Sequence, residues 1–303
     1  MMQTEFILER ERLKYQLNKW KILALVLLFV GLFFASDLLF KKSSSVSVLS
    51  AATKYIAHVE ISGMILENST RDAKLKAIKD DENILALVVS VDSPGGTVVG
   101  SEKIYNILRD IGSKKPVIVL MDTLAASGGY LISLAADHII AHNGTITGSI
   151  GVIFQTPEIT DLAAKIGVKF HQFKSGPLKA APNPMEKVTS EVEEVIMSSI
   201  MDSYDYFVTL VAERRKIPKL EAMKIADGRI YTGRQALKLK LIDQIGEIDD
   251  ATKWLQQNKK IDEKAKLRDY PLKDDMDFLK ELVSSMSAMF KGATSHNRVL
   301  LAM

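Results

Sequence analysis

Ser127 stands in the run ASGG, with Gly128 and Gly129 behind it. Acyl transfer at neutral pH needs a nucleophile, a base and donors for the oxyanion, and the sequence offers candidates for each. The apolar run after Ser127 reads as a helix, which puts the hydroxyl near the positive end of a helix dipole and beside unpaired backbone amides. A serine at a helix start is also an ordinary N-cap. The context is not a G-x-S-x-G elbow, because Ala125 occupies the first glycine position. A second glycine turn, SPGG at residues 93–96, offers consecutive amides that suit either an oxyanion hole or a tight strand-to-helix bend.

The base is harder to find. His58, His138, His142 and His171 lie in the same region as Asp92, Asp122 and Asp137, and each histidine reads as structural. His138 and His142 have i,i+4 spacing, but HIIAH reads as a strand, where that spacing does not gather two ligands round one ion. No metal site and no cofactor are expected. A lysine, with an ordinary pKa of about 10.4, serves as a base only when burial disfavours its charge. Lys174, Lys179 and Lys187 are rivals on local pattern, and each alone reads as a solvated charge.

The elements that must position these groups alternate. Residues 57–66 read as a strand, 71–80 as helical and 84–92, ILALVVSVD, as a parallel strand covered on both faces. Ile104, Ile107, Leu108 and Ile111 have helical spacing. Residues 116–122 form a second buried strand and 127–137 a second helix. Short strand-like pieces fill 138–153, residues 168–176 (VKFHQFKSG) read as a strand, and Pro177, Pro182 and Pro184 mark a loop. A long helix covers 189–216, and residues 236–243 carry a helix end and a strand start. The pattern is α/β, with active groups expected at strand carboxyl ends.

Composition sets the outer bounds. A chain of 303 residues, 47% hydrophobic and 25% charged, folds with a substantial core, and a net charge of +3 is too small to suggest nucleic acid. With no cysteine, disulfides and thiolate sites are excluded. Residues 22–40 are apolar enough to cross a hydrocarbon core ~30 Å thick. Arg10, Arg12, Lys14, Lys19 and Lys21 precede that stretch, which favours a cytoplasmic N-terminus and an exported remainder. The expected organisation is a cytoplasmic segment at 1–21, a transmembrane anchor at 22–40, a Ser-rich tether at 41–54, a catalytic domain at 55–256 and a charged, amphipathic tail at 257–303.

The motifs VDSPGG (91–96), ASGGYLISLAAD (126–137), TGSIGVI (147–153), KSGPLKAAPNP (174–184) and ADGRIYTGRQALKLKLID (226–243) occur in an order that resembles the signal peptide peptidases of the protease IV family. Its short, single-domain, membrane-anchored members are the nearest in form. The resemblance implies a Clp-protease/crotonase-like fold of repeated ββα units and a Ser/Lys dyad with Ser127 as nucleophile and Lys179 as base. It further implies Ser149 as the hydroxyl that orients the lysine, and Gly95 and Gly128 as oxyanion donors. Hydrophobic peptides such as released signal peptides would be the substrates, in the inner membrane. A homo-oligomeric ring is also implied, with the dyad either within one chain or shared between neighbouring subunits, and with no cofactor and no nucleic acid. Three other readings stand beside it: a related membrane protease acting on a membrane-protein partner, an acyl-CoA hydratase on the crotonase fold, and an inactive membrane scaffold.

Overall fold

The computed structural model describes residues 54–272 and, ahead of them, Lys21 alone. The expected anchor at 22–40, most of the tether, and residues 273–303 of the tail lie outside the described residues. Among the described residues no helix is long and apolar enough to cross a membrane.

The chain alternates as its hydropathy requires. Strand β1 (Tyr55–Ser62) leads to helix α1 (Ser69–Ile78), β2 (Ile84–Ser93) to α2 (Val98–Gly112), and β3 (Val117–Ala126) to the short α3 (Gly128–Ser133). Then come β4 (His138–Ala141), β5 (Ile146–Gly148), α4 (Thr160–Lys165) and the 26-residue α5 (Ser190–Arg215). The order closes with α6 (Lys219–Ile225), β6 (Ile230–Thr232), α7 (Gly233–Lys238), β7 (Gln244–Ile245), α8 (Ile248–Lys259) and β8 (Leu267–Asp269). Thr97 caps α2 by accepting from the Gly100 amide at 3.1 Å, and Thr232 and Gln235 form a reciprocal capping box on α7.

The strands join in one sheet in the order β6-β5-β3-β2-β1-β8, with β4 and β7 continuing from the other stretch of β3. All the pairings are parallel except that of β5 with β6. Both faces of the central strands are covered, as the unbroken apolar run of β2 predicts. Leu87, Val89 and Val91 point into a core shared with α1, α2, α3 and α5, while Ala86 and Val88 pack with Ala251 and Leu255 of α8.

Two expectations change. VKFHQFKSG forms no strand: its residues pair with no strand among the described residues, and a strand without a ladder is not a stable element. The compact region also runs past Gln256. Strand β8, within the stretch read as tail, pairs with β1 through Ile56↔Leu267, and Leu272 packs into the main core.

One polar clamp ties the long helix to the sheet. Arg215 near the end of α5 makes a two-pronged contact with Asp243 at 2.6 and 3.1 Å, and the Ile139 amide of β4 donates to the same carboxylate at 2.8 Å. Burial would raise the Asp243 pKa. The Arg215 hydrogen bonds and charge, with the Ile139 amide, outweigh it and hold the carboxyl below its ordinary value. Its contribution is therefore full above the ordinary carboxylate pKa and is lost as pH falls through the depressed one. Asp243→Asn is expected to cost about 1–3 kcal/mol in urea unfolding at neutral pH and to flatten the fall in stability below about pH 4. A variant with unchanged stability and an unchanged acid limb would remove the clamp from this account.

Candidate active site

The site grows from the end of β3. That strand pairs with β5 through Ala126↔Gly148, and one residue later the Ser127 amide donates to the Gly148 carbonyl at 2.9 Å. Ser127 and Ser149, 22 positions apart in sequence, are thereby set side by side. Ser127 occupies the N-cap position of α3 but makes no capping hydrogen bond with its side chain, at φ 52° and ψ −118°. A non-glycine residue in that region carries strain of about 1–3 kcal/mol, which the surrounding contacts must hold in place. The hydroxyl is thus presented outward instead of being spent on the helix. Ser149 also has positive φ, 49°, and its amide donates to the Arg229 carbonyl at 2.8 Å.

The two glycine turns meet here. A Cβ on Gly128 would lie 2.2 Å from Ser101 Oγ and 3.1 Å from the Gly96 nitrogen, so both turns pack too closely for any side chain. The Gly128 amide, at the start of α3, and the Gly96 amide have no hydrogen-bond partner among the described residues. Gly95 differs: it is buried, and its amide is already committed to Ser93 Oγ at 3.1 Å. The geometry therefore offers Gly96 with Gly128, and not Gly95, as the free pair of donors. The sign was in the sequence, because a serine commonly takes the amide two residues on, and SPG is such a turn.

A cavity of about 690 Å³ holds these groups, lined by Gly96, Ser101, Ser127, Gly128, Ser149 and, from α5, Phe207 among others. The carboxylate in its lining, Asp227, is engaged by Arg229 at 2.8 Å, which lowers its pKa. Lys179 does not line the cavity. It is exposed on the Pro-bearing loop after α4, where its amide donates to the Gly176 carbonyl at 3.1 Å. Its rivals are spoken for: Lys174 pairs with Glu186, and Lys187 stands 3.5 Å from Asp161. Among the described residues Lys179 forms no ion pair, so of the three it alone has an uncommitted amine.

His58 and His138 are held by neighbouring side chains, and His142 lies 3.9 Å from Asp122. His58 bridges Ser90 at 2.9 Å and Asp269 at 2.8 Å, a Ser-His-Asp order. Ser90, however, lies mid-strand with paired neighbours on both sides, so no turn amides are available to hold an oxyanion. His138 stacks on Trp254 with ring centroids 4.6 Å apart. Among the described residues no group of His, Asp or Glu side chains is placed to hold a metal ion.

The family model for Peptidase family S49 matches residues 109–262, a stretch that includes Ser127, Ser149 and Lys179 and begins after the SPGG turn. The chain is 41% identical over 207 residues to "Putative protease slr0021" of Synechocystis sp., covering 68% of this chain and 74% of that one. It is 33% identical over 266 residues to "Putative signal peptide peptidase SppA" of Enterococcus faecium, covering 82% and 77%. Against "Protease 4" of Haemophilus influenzae it is 34% identical over 67% of its own length but spans 34% of that relative. A solved mutant of the 1510-N membrane-bound stomatin-specific protease superposes with a TM-score of 0.47 at 17% identity, covering 72% of this chain and 98% of that one.

The tight fit at Gly128 yields a direct test. Gly128→Ala places a methyl group against Ser101 and Gly96, an overpacking worth about 1–3 kcal/mol, and displaces one of the two free amides. Phosphonylation of Ser127 by a fluorophosphonate is expected to slow at least tenfold. Labelling at the wild-type rate would show that the turn yields without consequence.

Proposed function

Because the chain belongs to peptidase family S49 and is a serine peptidase of the SppA and protease 4 type, we propose that it is a membrane-anchored endopeptidase with a Ser/Lys dyad that cleaves hydrophobic peptides such as released signal peptides. The observation that carries this reading is the presentation of Ser127: a strained residue with an unspent hydroxyl, beside two free amides and Ser149 in one cavity.

In this mechanism Ser127 Oγ attacks the scissile carbonyl and gives its proton to the Lys179 amine. The oxyanion is held by Gly128 and Gly96, and the lysine returns the proton to the leaving amine; water then hydrolyses the acyl-enzyme by the same route. Ser149 orients the amine. A lysine accepts a proton only as the neutral amine, and removal from water is what favours that form. In the single chain Lys179 is exposed, and the segment around it displays large apolar side chains to solvent: Ile153 is 80% exposed, Ile166 70% and Phe173 98%. Such a surface favours coverage by another copy of the chain, and a ring in which one subunit's lysine loop closes over a neighbour's cavity would bury both.

The apolar cavity wall formed by Leu131, Ile150, Val152 and Phe207 suits hydrophobic segments. The proposed topology places residues 22–40 in the inner membrane, the N-terminus in the cytoplasm and the catalytic domain on the exported side. A hydratase on this fold would need a carboxylate poised to exchange protons, whereas Asp227 is held ionised by Arg229.

Ser127→Ala and Lys179→Ala, assayed on a hydrophobic signal-peptide substrate with the detergent-solubilised full chain, are each expected to lose at least a thousandfold in kcat/KM. Full activity in either variant would end the dyad assignment. Co-expression of the two inactive variants in one assembly is expected to restore part of the activity. No recovery in verified mixed assemblies would place both residues within one subunit.

A further inference from the structure

Ser101 lies in α2, one turn in from its N-cap Thr97, and is 1% exposed. Its amide donates to the Thr97 carbonyl at 3.0 Å, as a helix requires, but its Oγ is buried with no hydrogen-bond partner among the described residues. Helical serines commonly return their hydroxyl to the carbonyl four residues back. Ser133 does this here, donating to the Gly129 carbonyl at 2.7 Å. Ser101 does not. A buried hydroxyl left unpaired costs about 1–3 kcal/mol, and no packing need explains one at this position.

Its surroundings do. Ser101 lines the cavity that holds Ser127, and its Oγ is the nearest atom to the space where a Gly128 side chain would begin, at 2.2 Å, with the Gly96 nitrogen 3.1 Å from the same point. The unspent hydroxyl is therefore packed against the one residue and close to the other whose amides are free. A hydroxyl with no fixed partner can rotate, and a dipole in a water-poor site acts on charge far more strongly than in solution.

We propose that Ser101 is a positioning residue for the oxyanion donors: its hydroxyl holds Gly128 in place against Gly96 and turns its O–H dipole toward the negative charge gathering beside them. This role rests on Ser127 being the nucleophile. It acts on the transition state and not on ground-state binding, because the charge it faces exists only after attack.

The test compares Ser101→Ala, which removes the hydroxyl, and Ser101→Cys, which keeps its bulk with a much weaker donor, in the detergent-solubilised full chain. Both variants are expected to lose about tenfold in kcat on the peptide substrate with KM within about twofold. A peptide aldehyde, which forms a tetrahedral adduct, should bind about tenfold more weakly to both, while the matching peptide amide binds as to the wild type. Equal losses for aldehyde and amide, or kcat within about twofold of wild type, would overturn the inference; if the alanine variant does not fold, the cysteine variant decides. Ser127→Ala runs alongside. If it is inactive while the Ser101 variants behave as wild type, the inference about Ser101 alone falls. Activity retained in Ser127→Ala removes the nucleophile assignment itself.

Discussion

The site depends on one backbone hydrogen bond, from the Ser127 amide to the Gly148 carbonyl at 2.9 Å. It extends the β3–β5 pairing by one step beyond the last strand residue, and everything chemical follows from where that step lands. Because β5 pairs with the far stretch of β3 while β4 pairs with the near one, the chain returns to this corner with Ser149 already alongside Ser127. The same bond fixes Ser127 in a conformation that a free chain would abandon, and the tight contacts of Gly128 with Ser101 and Gly96 keep it there. The strain is supported by the buried, close-packed parallel sheet, with Ser127 at the end of its strand β3.

Two environments divide the labour. Ser127 and the free amides sit on the rim of the core, between β3, β5 and α3. The lysine loop sits on a segment with little core of its own, where apolar side chains face solvent and an amine has no partner. A general base must be freed from water at the moment of reaction, and an exposed arm meets that need only by being covered. The two halves of the proposed dyad therefore carry different physical requirements: rigidity for the serine and enclosure for the lysine.

Much of this was legible in the sequence, for identifiable reasons. The unbroken apolar run of ILALVVSVD announced a strand buried on both faces, and residues of β2 enter the cores on both sides of the sheet. The ASGG turn announced a helix start, but not that Ser127 would decline to cap it, since that depends on φ, which the Gly148 contact imposes from 21 positions away in sequence. In SPGG the two glycines look alike as donors until the serine ahead of them is counted, since the Ser93 side chain takes the Gly95 amide. VKFHQFKSG reads as a strand from its aromatic and β-branched residues, and whether a partner strand exists is something no single-chain pattern supplies. Strand β8 hid inside a charged stretch because a three-residue edge strand has almost no periodicity to display.

The pairing of β8 with β1 also bears on how the chain is made. His58 and Asp269, joined across that edge, are 211 residues apart. During vectorial synthesis β1 emerges early and its outer edge stays open until nearly the whole described region has followed. Contacts of such sequence separation close slowly, because the loop entropy is lost before the ladder returns any of it. An unpaired parallel strand is a template for wrong partners in the interval. Among the described residues β8 is thus a late-fitted edge, and a nascent chain halted before residue 267 would leave β1 without that neighbour.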